Sequence, residues 1–97
     1  MRQKKEVFVE SIKNSINLYL NKNADVLGFC HVREVDMAND FKTAKVFIEF
    51  LDNENSAKKI DIIRKSKDEI FREYNKMYSS RYFPSIKYYN FTNELNF

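Results

Sequence analysis

Between Thr43 and Leu51 apolar and polar residues alternate: Ala44, Val46, Ile48 and Phe50 hold one parity, Lys45 and Glu49 the other. A strand with one face on helices and the other on water needs this two-residue period. Only Phe47 breaks it. In the run from Leu27 to Met37, Cys30 and Val32 share one parity whereas Val35 and Met37 share the other. The inward face therefore switches near Arg33 and Glu34, which predicts a β-bulge there. Ala38-Asn39-Asp40-Phe41 separates the two runs, and its Asn and Asp tolerate turn geometry, so an antiparallel hairpin is expected.

Helical spacing flanks this hairpin. From Lys4 to Lys22, Phe8, Ile12, Ile16, Tyr19 and Leu20 recur at three- and four-residue steps, with polar Lys13, Asn14 and Asn17 between them. Asn21 to Asp25 reads as a connector that ends at the only glycine, Gly28. A second connector, Asp52 to Ser56, offers Asn55 or Ser56 as the N-cap of a helix that turns Ala57, Ile60 and Ile63 inward. Ser66-Lys67-Asp68-Glu69 then has the spacing of a capping box, directly before Ile70, Phe71, Tyr74, Met77 and Tyr78 at helical intervals. One helix is thus expected to stop near Lys65 and another to start at Ser66 with a sharp kink. Ser79-Ser80 ends it, and Pro84 sets the entry to a last strand, Ser85 to Tyr89, with Ile86 and Tyr88 on one face. The predicted order is helix, strand, strand, helix, kinked helix, strand. That is an α+β chain whose helices pack on one face of a three-stranded sheet.

Composition narrows the possibilities. Ninety-seven residues make a single domain, 1–97, with one modest core, and nine Phe and six Tyr without Trp must fill much of it. Cys30 is the only cysteine, and no C-x-x-C or histidine-rich spacing suggests a metal, so no cofactor is expected. No apolar run approaches the ~20 residues of a membrane span, and the segment after Met1 lacks the apolar stretch of a secretory signal. A cytoplasmic protein without a membrane partner is the expectation.

Net charge is +3, but it is unevenly distributed. Between Asn55 and Lys87 nine cations face four carboxylates, whereas between Glu34 and Glu54 six carboxylates face Lys42 and Lys45. A molecule with two electrical sides orients on a polyanion. Arg64, Lys65 and Lys67 meet at the helix junction, where the amides opening the second helix add to the positive potential, and Arg72 and Lys76 continue along that helix. A solvated helix face accounts for many such runs, but their recurrence on two successive helices favours phosphate contacts. Tyr74, Tyr78, Tyr82, Tyr88 and Tyr89 are candidates to stack on unpaired bases, with at least half of them expected in the core. His31, the only histidine, lacks a nucleophile, a metal-ligand set or a phosphate loop beside it, and Cys30 reads as a small core residue. No catalytic residue is assigned, and a non-enzymatic binding domain is expected.

The order Leu27-Gly28-Phe29, Val35-Asp36-Met37 with Asp40, and Ala44-Lys45-Val46-Phe47 resembles ribosome-binding factor A, a family of small bacterial ribosome-assembly proteins. Ile70 and Arg72, then Lys76, Arg81, Pro84 and the apolar last strand follow in the family's order, so the resemblance spans about Val7 to Tyr89. It implies a K-homology-like fold of type II topology, with binding to the free small (30S) ribosomal subunit through 16S rRNA. Late maturation of that subunit, processing of the rRNA 5′ end and growth in the cold are further implications. On this basis Lys76 and Arg81 join Arg64, Lys65, Lys67 and Arg72 as candidate RNA-binding residues. A ribosomal protein or an assembly GTPase is a further candidate partner, and a monomer is expected. The competing reading is a protein-interaction module whose acidic hairpin side meets a basic partner. Three departures from the family pattern stand out. Asp25 is followed by Val26 where a proline is common, Ser66-Lys67-Asp68 occupies the place of an Ala-x-Gly junction, and Asn90 to Phe97 replaces an acidic, serine-containing segment.

Overall fold

The computed structural model describes residues 4–79 and 82–92. Its elements are α1 (Lys4–Lys22), α2 (Ala24–Leu27), β1 (Cys30–Met37), β2 (Thr43–Phe50), α3 (Ser56–Lys65), α4 (Lys67–Tyr78) and β3 (Ser85–Asn90). The sheet order is β1-β2-β3, antiparallel between the first two strands and parallel between the last two. Helix α1 packs on β1 and α4, and α3 packs on β3, so the helices cover one face of the sheet. This is the α+β arrangement that the sequence pattern predicts and the K-homology-like topology that the resemblance implies.

The parity of β2 places Ala44, Val46, Ile48 and Phe50 in the core, and its register explains the partner strand. Val32 lies opposite Ile48, but Val35 lies opposite Val46, because the pairing shifts between Val32 and Glu34. The bulge falls where the inward parity changes. Without it, Val35 and Met37 would face water instead of joining Ile12, Ile16 and Leu20 of α1 in the same apolar cluster. The outer edge of β1 is closed locally, since the Val32 amide donates to Asn17 Oδ1 of α1 at 2.7 Å. Ser11 and Ser15 are also buried on α1, and each hydroxyl donates back to a carbonyl of its own helix.

Several local expectations need correction. The connector after α1 contains the one-turn helix α2, closed by Gly28 at φ 72, a backbone region that a side chain would strain. Ala57 is exposed, because α3 turns Ile60 and Ile63 inward and a single methyl adds little apolar area to direct the helix. Asn55 precedes α3 in a left-handed conformation and makes no side-chain cap, although its carbonyl accepts from the Lys59 amide. Two of the five candidate tyrosines, Tyr74 and Tyr88, are buried, which is fewer than expected. Ile and Leu from α1, α3 and α4 take the remaining volume. Cys30 is half-buried against the edge of the core. Arg81 and the segment after Thr92 lie outside the described residues.

Candidate nucleic-acid interface

The break between α3 and α4 is a single residue, Ser66, with φ −95 and ψ 25. A side-chain N-cap needs an extended residue whose own amide is free for the reciprocal bond of a capping box. Ser66 meets neither condition. Its amide donates to Ile63 O at 3.0 Å, and its hydroxyl donates back to Ile62 O at 2.8 Å. Glu69 does not return to Ser66 and instead accepts from Asn23 Nδ2 at 3.3 Å. What fixes the junction is Tyr19 of α1, whose hydroxyl donates to Ser66 Oγ at 2.6 Å. Burial raises the Tyr19 phenol above its usual range, with Glu69 and Cys30 adding to the rise and the Ser66 bond opposing it, so it remains a donor. The two-helix reading therefore holds, but a tertiary hydrogen bond replaces the predicted cap.

At this break Arg64 and Lys67 line one groove of about 140 Å³, whose other walls are Phe83, Pro84, Ser85, Ile86 and Tyr88. The first-turn amides of α4 have no acceptor within their own helix, which adds positive potential on this side. Asp68 and Glu69 in the same turn oppose it. Tyr88 is only 8 % exposed, and desolvation, with Tyr19 adding to it, pushes its phenol far above the tyrosine range. It forms a neutral wall and offers no open ring to a base.

The remaining candidates are arranged differently. Lys65 and Arg64 share Asp61, at 3.0 Å and 3.4 Å, so part of the charge at the end of α3 is already compensated. Arg72 is exposed on α4. Lys76 lies 3.9 Å from Glu73, which also binds Lys22 of α1 at 2.9 Å. The structure thus joins Arg64 and Lys67 in one groove and ties Lys76 to the seam between α1 and α4. His31 sits on the exposed sheet face 3.2 Å from Glu49. Among the described residues no group of three or more His, Cys, Asp and Glu is placed to hold a metal, and no helix is long and apolar enough to cross a membrane.

The family model described as ribosome-binding factor A matches residues 3–92. The chain belongs to the ribosome-binding factor A family. Its fold is also similar to the crystal structure of ribosome-binding factor A from Thermus thermophilus, with a TM-score of 0.74 and 13 % identity, over 93 % of this chain and 99 % of that one. No curated protein sequence matches it significantly. Ribosome-binding factor A is a family of ribosome-binding factors and not a known class of enzyme, in line with a chain read as a binding domain. At the position of the Ala-x-Gly junction, this member of the ribosome-binding factor A family makes its break with Ser66 held by Tyr19. Sequence reasoning identified the break but missed Tyr19. Its place on the apolar stripe of α1 marks it as buried, and nothing local says where its hydroxyl goes.

Proposed function

We propose that this chain binds the free small (30S) ribosomal subunit through 16S rRNA and assists its late maturation, including processing of the rRNA 5′ end and growth in the cold. One observation supports this reading most. Arg64 and Lys67 stand on either side of a rigidly held helix break and line a single groove with the start of β3, in a chain of the ribosome-binding factor A family. Two cations over a narrow groove hold a sugar-phosphate backbone and read its shape, without selecting a base sequence. Arg72 on the outside of α4, with Lys65 and Lys76, extends the basic side and adds contacts whose strength falls with salt, and Arg81 is a further candidate contact on the family resemblance alone. The chemistry proposed is binding, without a catalytic residue or a cofactor.

Sedimentation through a gradient, with subunits separated from complete ribosomes, tests this. The chain should travel with free small subunits. Arg64→Glu together with Lys67→Glu should remove it from that fraction, most strongly at low salt, while circular dichroism stays unchanged. Lys13→Glu with Lys42→Glu makes the same change in net charge on other exposed surfaces and should be nearly silent. Salt-insensitive binding to one ribosomal protein, unaffected by Arg64→Glu and Lys67→Glu, would reject the proposal in favour of a protein partner.

A further inference from the structure

The sheet face away from the helices carries an ordered strip that the groove alone does not explain. Across the parallel pairing of β2 and β3, three pairs of residues stand in register on this face: Thr43 with Ser85, Lys45 with Lys87, and Phe47 with Tyr89. The aromatic pair is stacked, with ring centroids 5.4 Å apart and planes inclined by 24°. Both lysines are exposed. Like charges placed directly opposite one another on a sheet are destabilising. Among the described residues neither ammonium is relieved by an ion pair, although Asp36 on β1 is the register partner of Lys45. Asp36 lines the same shallow cleft as both lysines and offsets part of their charge, which leaves a net positive pair next to a stacked aromatic pair, an arrangement suited to an anion that carries a flat ring.

The strip is continuous with the groove. Ser85 both lines the Arg64–Lys67 groove and opens the strip, so a chain leaving the groove crosses the edge strand β3 onto Lys87 and Lys45 and reaches Tyr89 and Phe47 next. Each step of two residues advances about 6.6 Å along a strand, which suits one phosphate and the base attached to it. Glu34 and Asp36 of β1 stand directly opposite Phe47 and Lys45, and Glu49 of β2 pairs with His31, so these carboxylates push a polyanion toward the β3 side of the strip.

We infer that the open sheet face is a second RNA-contact surface, which takes a single-stranded segment with its phosphate on Lys45 and Lys87 and its unpaired base on Phe47 and Tyr89. The segment must be single-stranded, because a base within a duplex does not offer its face to a side chain. This inference rests on the RNA-binding reading of the junction groove and extends the path of the strand beyond it.

The test measures binding of a short single-stranded RNA of mixed sequence, and of a duplex of equal length, to the full chain over a range of salt. Lys45→Gln with Lys87→Gln removes a repulsive pair and leaves the fold intact. It should lower the slope of log K against log salt by about 0.7 for the single strand, as expected for one lost phosphate contact. Phe47→Leu keeps the apolar cover, removes the aromatic plane, and should weaken single-strand binding about tenfold or more. Photocrosslinks of the single strand should map to the β3 peptide containing Tyr89. The inference is overturned, with the groove intact, if these variants bind normally while Arg64→Glu with Lys67→Glu does not. Equal weakening of duplex binding also overturns it, as does self-association abolished by Phe47→Leu, which would make this face a contact between two copies. Wild-type binding that is equally absent for both RNAs would remove the groove reading together with this one.

Discussion

Ile48 has no exposed surface and lies on the central strand, opposite Val32 on one side and Asn90 on the other. Truncating it to alanine leaves a void among neighbours that cannot all close in. Ile48→Ala should cost about 2–5 kcal/mol, a large part of the roughly 5–15 kcal/mol that holds a domain together. The measurement is a urea melt, and an unchanged midpoint would mean that this side chain faces solvent. Cys30 yields a second prediction at this scale. Burial pushes its thiol up, with Lys59 opposing, so at neutral pH less of it is the reactive thiolate. It should react with a thiol reagent more slowly in the native chain than in urea, and equal rates would contradict its placement. Residues such as Ile48 were legible because strand parity is a strong signal. Ala57 was not, since its methyl barely alters a helix's preference, and the tyrosines were ambiguous because each ring suits both a core and a surface.

The junction of α3 and α4 shows where local pattern stops being informative. A serine three residues before a glutamate looks the same in sequence whether it caps a helix or, as here, bonds back to Ile62 and accepts from a tyrosine 47 residues away. Ser66→Ala should therefore destabilise by about 1–3 kcal/mol, mostly because the Tyr19 hydroxyl loses its acceptor in a partly buried place. Tyr19→Phe removes the hydroxyl as well and should cost less. The double variant leaves no hydroxyl without an acceptor and should recover part of the Ser66→Ala loss, and strictly additive losses in chemical denaturation would show that the two side chains act independently. The hairpin, its bulge and the last strand were readable from period and turn residues alone. The groove was readable only as a cluster of cations, because its walls come from β3, whose position beside β2 is not encoded near either strand.

At the scale of the molecule, Glu73 joins α4 to α1 through Lys22, 51 residues away. The hydrogen bond from Lys22 lowers its carboxyl below the ordinary glutamate range against the desolvation of its site, with Lys76 and Arg72 contributing. A carboxyl with a lower pKa in the native state stabilises the fold above the unfolded pKa, about 4.3, and loses that contribution as pH falls through the native one. Lys22→Met should therefore lower stability at neutral pH, change it little once the carboxyl is protonated in both states, and so flatten the acid limb of a plot of stability against pH. An acid limb of unchanged slope would place the coupling elsewhere. Such pairings were invisible in the sequence, which shows charges but not which of them meet. The parallel pairing of β2 with β3 has one more consequence. Its partners are separated by two helices, so closing the sheet requires a long loop to be gathered, and this step is slow compared with formation of the hairpin. During synthesis the ribosome releases Thr43, Lys45 and Phe47 long before Ser85, Lys87 and Tyr89. A nascent chain therefore holds only half of the strip, and competence to grip RNA there arrives last, as a mark of completed folding.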